Sequence, residues 1–347
     1  MSINRSPNCD LLRIIAMFCI VVTHCIMYGA VGATRTDMFV NMSSPMMVAN
    51  WAGMYVIFFL VAVGVNCFVM LSGYLLAERT EYRWKSIFKT WLTTFFYSFG
   101  ICLIFFLCGN VGGRELLQCA FPVYTNQYWF MTMFLGLSVI SPFLSRLVSV
   151  LDKKNYIILL VVLSFMNLRL FKFPYGELYG GPHSLMWFIY LYLVGAFVRR
   201  FNPFAGFRHF GKSYFVFGTL LACAYMALSL VMWKVNGKPV AYGGTFNNSF
   251  TFLTSALLFL WSMNLKIEGE KVSSFVITAA PTVIGAYLIS EHRLLRHYIW
   301  EDVIRINGLL DSPWLIPLIL ASSIAVFTVC CLIDRLRIAL FKILHLQ

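Results

Sequence analysis

Long apolar runs, rather than alternating ones, organise this chain. They cover 11–30, 52–77, 86–108, 128–149, 155–171, 184–198, 213–233, 249–265, 272–290 and 313–333, with most polar residues gathered between them. About 20 apolar residues at ~1.5 Å rise span a bilayer core of about 30 Å. The pattern therefore predicts an all-α polytopic membrane protein with about ten transmembrane helices. Connections on one side are short and basic: Glu78 to Lys85, Asp152 to Asn155, Arg199 to Lys212, Lys266 to Lys271. Those on the other side are longer and richer in Gly, Asn, Pro and Tyr: Val31 to Asn50, Gly109 to Gln127, Lys172 to Pro182, Lys234 to Asn248, Glu291 to Ser312. The last carries an amphipathic set (Leu294, Leu295, Tyr298, Ile299, Trp300), which predicts a short helix lying along the membrane interface. No internal repeat or low-complexity linker divides the chain, so residues 1–347 read as a single transmembrane domain.

Composition narrows the class further. Of the 347 residues 60% are hydrophobic and only 12% charged, with a mean hydropathy of +0.78. A soluble domain is nearer 45–50% apolar and about 25% charged. A water-soluble enzyme, a nucleic-acid binder and a disordered scaffold are excluded on that ground. The net charge of +13 acts as a topology signal: eighteen of the 27 basic residues fall on the short-loop side, while the 14 acids divide evenly. The positive-inside rule then places that side, with both termini, in the cytoplasm. The ten cysteines lie mostly inside spans and show no C-x-x-C or zinc spacing. The first apolar run is too long for a signal peptide and lacks a small-x-small site before Arg35, so it reads as a retained helix.

Ionisable groups inside a span are costly and mark function by default. The first helix holds Asp10, Arg13 and His24. Eleven residues at about 100° each bring Arg13 and His24 to within about 20° of one stripe, roughly 16 Å apart along the axis. Asp10, three residues before Arg13, can orient the guanidinium. A cation near the cytoplasmic face and a titratable base deeper in suit a long anionic donor. Acyl-CoA has that form: its phosphates meet Arg13 while the pantetheine arm carries the thioester toward His24, which takes the proton of an attacking hydroxyl. A snorkelling arginine and a histidine bonded between packed helices are the structural alternative.

The Arg13-x10-His24 pair resembles the signature of the membrane acyltransferase-3 family, which acylates sugars and polysaccharides. Three further runs are similar to segments of that family. They are Cys67-Phe68-Val69-Met70-Leu71-Ser72-Gly73-Tyr74-Leu75, then Tyr128-Trp129-Phe130 with Gly136-Leu137 and Ser141-Pro142-Phe143-Leu144, and finally Ser184 to Ala196. The last resembles the branch associated with O-acetylation of capsules and surface glycans. The likeness runs from about residue 8 to 340. It implies transfer of an acyl group, usually acetyl, from cytoplasmic acetyl-CoA (acyl-CoA) as co-substrate, with no bound cofactor. The acceptor it implies is a hydroxyl of an extracytoplasmic or lipid-linked glycan, and the location the bacterial cytoplasmic membrane. It also implies a catalytic role for His24 and a donor role for Arg13. One departure stands out: in Tyr287-Leu288-Ile289-Ser290-Glu291-His292, Ser290 replaces a histidine found in relatives and His292 lies two residues on.

Asn66, Ser72 and Tyr74 are candidates for a channel lining, and Trp129, Glu177 and His292 for acceptor contacts. Helix-to-helix hydrogen bonding explains Asn66 and Ser72 as well, and belt anchoring explains Trp129. His183, Glu291 and His297 are further groups at the outer mouth, and Arg79, Arg83, Lys85 and Lys89 can cradle donor phosphates. No Rossmann, HExxH or GxSxG motif is present. The alternative reading is a transporter or flippase for a lipid-linked sugar. It calls for matched broken helices in two halves, a pattern that Ser141-Pro142 and Ala280-Pro281 do not make.

Overall fold

The computed structural model describes residues 6–30, 44–169, 181–204, 210–236 and 245–346. Helices fill almost all of it, and among the described residues the only extended pairing is an isolated bridge between Arg169 and Asn248. Helix α1 (Pro7–His24) starts on a proline, whose missing N–H costs nothing at a helix start, and opens into a π-turn over Cys25–Ala30. It is followed by α2 (Pro45–Val61), capped by Ser44, and α3 (Gly64–Leu76), which continues α2 after a break at Ala62–Val63. Next come α4 (Trp84–Leu107), the short α5 (Gly113–Ala120), α6 (Trp129–Val150) and α7 (Lys153–Asn167). The chain then forms α8 (Leu185–Phe201), α9 (Phe210–Asn236), α10 (Ser249–Asn264), α11 (Glu270–Ala279) and α12 (Val283–Ser290). The last helices are α13 (Arg293–His297) and α14 (Leu315–Ile343).

As far as they are described, all ten apolar runs fall mainly on helices. Among the described residues seven helical stretches are long and apolar enough to cross a membrane, α2–α3 and α11–α12 counting as one each. The other three runs lie on α7, α8 and α10, of 15, 17 and 16 residues. Pro281 explains the interruption between α11 and α12, since it removes a backbone donor and clashes with the preceding turn. The connection after Glu291 is helical as expected, and its two faces differ: Tyr298 is exposed, and Trp300 is completely buried, packed with Val22, Ile26 and Leu315. Large apolar side chains such as Ile104, Phe165, Leu220 and Leu336 stand exposed on the outside, as a lipid-facing surface requires.

Packing at the centre relies on small residues. A β-carbon on Gly73 of α3 would fall on the Tyr192 carbonyl of α8, and one on Gly195 of α8 would fall on the Met70 carbonyl of α3. The two glycines interlock the backbones reciprocally, the close approach that substitutes for a hydrophobic drive between helices in lipid. Gly64 likewise admits α3 against Ala16 of α1. Helices α1, α3, α6 and α12 thus surround a common central region in which the candidate chemistry sits.

Candidate active site

Two cavities lie in that region. The first, about 750 Å³, is bordered by Asp10, Arg13, Ser72, Arg79, Arg83 and Arg337, among others. Arg13 Nη1 donates to Asp10 Oδ1 at 2.6 Å, and Asp10 is buried, so the carboxylate fixes the guanidinium at the cavity edge. Arg337 is held from behind: its Nε and Nη2 donate to the two oxygens of Asp334 at 2.7 and 2.9 Å. The Tyr97 hydroxyl donates to the same carboxylate at 2.8 Å. Lys89 adds another cation to the lining. This concentration of guanidinium groups around a polar space is suited to phosphate oxygens, to which Arg presents paired donors.

The second cavity, about 550 Å³, holds His24, Tyr28, Trp129, His183, Tyr287 and Glu291 within a mainly apolar wall. His24 ends α1, and the π-turn that follows brings the Tyr28 ring within 5.7 Å of the imidazole. Such widened turns recur at functional sites. His24 Nε2 lies 3.2 Å from Glu291 Oε2, an ion-pair approach rather than an aligned hydrogen bond. The Tyr28 hydroxyl donates to Glu291 Oε1 at 3.1 Å, and Arg296 Nη1 reaches that oxygen at 3.3 Å. Arg296 also lies 4.8 Å above the Tyr28 ring. A buried carboxylate with an imidazole on one oxygen and a guanidinium on the other is held in a fixed orientation. His24 Nδ1 is buried and has no hydrogen-bond partner among the described residues. Leaving such a group unsatisfied costs about 1–3 kcal/mol, so Nδ1 is available to a partner that enters the cavity.

The remaining sequence candidates separate clearly. Ser72 borders the first cavity and donates to the Phe68 carbonyl of its own helix. Trp129 borders the second, stacked on Phe246 at 5.7 Å and edge-on to His183 at 4.4 Å. Asn66 lines neither cavity: it is fully buried, donates to the Phe246 carbonyl and to Ser255 Oγ, and accepts from Trp187 Nε1 at 3.1 Å. That satisfies its amide as a helix-to-helix tie. Tyr74 also lines neither, and packs under the Arg199 guanidinium at 5.3 Å. His292 is fully buried away from both cavities. Its Nε2 donates to the Ser98 carbonyl at 3.2 Å and its Nδ1 accepts from Leu294 N–H. Burial pushes it down from its ordinary 6.5 to about 4, so it is a neutral structural histidine. His297 pairs with Glu301 at 2.7 Å. Glu177 lies outside the described residues. The residues that sequence reasoning undervalued are Glu291, Tyr28 and Arg296. Only the spacing of Tyr28, four residues after His24 on a helical stripe, offered a local signal.

With this geometry in place, the comparison with known families is informative. The model of the acyltransferase domain of the acyltransferase-3 family matches residues 7–334, and the chain belongs to that family. No curated protein and no solved structure matches it. The protein is accordingly a multi-pass membrane acyltransferase.

Proposed function

We infer that this acyltransferase moves an acetyl (acyl) group from cytoplasmic acyl-CoA to a hydroxyl of an extracytoplasmic or lipid-linked glycan, in a bacterial cytoplasmic membrane. The observation that carries the reading is His24, with Nε2 facing the buried Glu291 carboxylate and Nδ1 left without a partner beside a cavity. The cationic cavity around Arg13 faces the side that the positive-inside rule assigns to the cytoplasm, where it receives the CoA phosphates. Asp10 and Asp334 act as positioning residues for Arg13 and Arg337.

In this mechanism Glu291 keeps the proton of His24 on Nε2, which leaves Nδ1 basic. Nδ1 takes the proton of the acceptor hydroxyl as its oxygen attacks the thioester carbonyl, and Glu291 stabilises the imidazolium that forms. Collapse of the tetrahedral intermediate breaks the C–S bond, and the departing thiolate recovers the proton from Nδ1. The products are an ester and free CoA. The apolar wall of the His24 cavity limits competing hydrolysis. Initial-rate patterns distinguish this direct transfer from a route through an acyl-imidazole, which is ping-pong. The mainly aromatic and aliphatic wall, with Trp129 and His183 at one edge, supports an acceptor that brings an apolar or sugar face.

The test is mass spectrometry of surface glycans from cells carrying the gene, lacking it, or carrying His24→Ala. Acyl groups should be lost in both altered strains while the variant protein stays at wild-type level in the membrane. Normal acylation with His24→Ala overturns the assignment.

A further inference from the structure

The two cavities share no lining residue, and the layer between them is thin. Helix α3 lines the Arg13 cavity at Phe68 and the His24 cavity at Val65. On α6 the corresponding positions are Phe134 and Phe130, and on α12 they are Ile284 and Tyr287. Each pair is three or four residues apart, so on three of the four surrounding helices the partition is about one helical turn, roughly 5 Å. Its substance is aromatic. Phe68 lies edge-on to both Phe130 and Phe134, with centroids 5.6 Å apart in each case, and Phe130 stacks on Phe134 at 5.9 Å. Phe130 in turn meets Tyr287 at 5.5 Å, and Tyr287 meets His24 at 6.1 Å. Phe68 and Phe130 are almost wholly buried. Phenylalanine rings make no hydrogen bonds, so packing alone holds Phe68, Phe130 and Phe134 in place.

We propose that Phe68, Phe130 and Phe134 form a side-chain gate between the donor and acceptor cavities, and that its aperture selects the length of the acyl group delivered to His24. This rests on the acyltransferase reading above. The phosphates stay in the Arg13 cavity while the thioester end displaces the rings. A two-carbon acyl passes the rings with brief displacement, whereas each added methylene lengthens the stretch over which the packed layer must stay open. Bonds form and break as in the transfer already described, so the gate adds no chemical step. It does add a specificity filter made of packing.

The experiment uses the purified full-length protein in lipid nanodiscs, with host membranes as acceptor source and acetyl-, butanoyl- and hexanoyl-CoA as donors. Thiol release is followed for each donor. For Phe68→Ala the ratio of kcat/KM for hexanoyl-CoA to that for acetyl-CoA should rise about tenfold or more, the usual discrimination of an apolar pocket by a few methylenes. Phe134→Leu, a milder change on the half-buried ring, should move the ratio the same way by a smaller factor, and it serves if Phe68→Ala fails to fold. Phe68→Trp should lower it. A ratio unchanged in all folded variants, while release still depends on His24, overturns the gate and leaves the acyltransferase reading standing. Thiol release that is equal in wild type and His24→Ala overturns that reading, and the gate with it.

Discussion

Replacing Glu291 by glutamine keeps the shape of the side chain and removes the charge that faces His24. The Coulomb attraction between a carboxylate and an imidazolium 3.2 Å apart is about 5 kcal/mol at an effective dielectric of about 20. Arg296, 3.3 Å from the other carboxylate oxygen, already draws on the same charge, and the approach to His24 is not collinear, so about half of that is a reasonable share. A loss of about 2.5 kcal/mol from the transition state corresponds to a fall in rate of roughly 70-fold. Because the imidazolium exists only as the hydroxyl is deprotonated, the loss belongs to kcat, and KM for acyl-CoA should hardly change. The measurement is steady-state thiol release by purified Glu291→Gln in nanodiscs, with monodispersity on size exclusion as the check of folding. Turnover within about threefold of wild type, or a loss confined to KM, would show that the carboxylate does not support the base.

Other outcomes follow from the same geometry. Arg13→Ala should raise KM for acyl-CoA by about tenfold or more with a smaller change in kcat, as expected for a charged contact to phosphate worth about 1.5–3 kcal/mol. An unchanged KM would remove Arg13 from the donor site. Gly73→Ala should destabilise the fold by about 1–3 kcal/mol, because the added methyl has no space against the Tyr192 backbone. Thermal unfolding in detergent should register a clear fall, whereas Gly113→Ala, at a site with nothing nearby, should not. His292 is held neutral, with its folded value depressed to about 4 from 6.5. Its contribution to stability is therefore complete above about 6.5 and is lost as pH falls toward 4, since the unfolded chain takes up the proton first. The midpoint of unfolding should drop more steeply over that window in wild type than in His292→Gln, and equal slopes would contradict the assignment.

Much of this was legible in the chain before folding. The apolar runs give the helices, because in lipid each segment must satisfy its backbone internally, and length alone then marks the spans. The stripe on α1 follows from counting: Arg13 and His24 do face the central region, each at its own cavity. What the sequence does not carry is pairing at a distance. Glu291 reaches His24 across 267 residues, and nothing local distinguishes it from His292 beside it, which turns into the core instead. Asn66 reads as a channel group in isolation because its partners Phe246, Ser255 and Trp187 come from other parts of the chain. The break at Ala62–Val63 is hidden too, since apolar residues flank it on both sides and no proline or polar residue marks it.

The thinness of the layer between the two cavities has an electrical consequence. If the Arg13 cavity opens to the cytoplasm, as proposed, and the His24 cavity to the outer face, water and counterions bring each bulk potential inward, and most of the transmembrane voltage falls across roughly one helical turn. A neutral acetyl group crosses that drop without cost. A dicarboxylic acyl group, ionised at its far end, would feel nearly all of it, about 2.3 kcal/mol for each 100 mV. Membrane voltage would thus bias which thioesters such a protein can use, even where two acyl groups are equally wide.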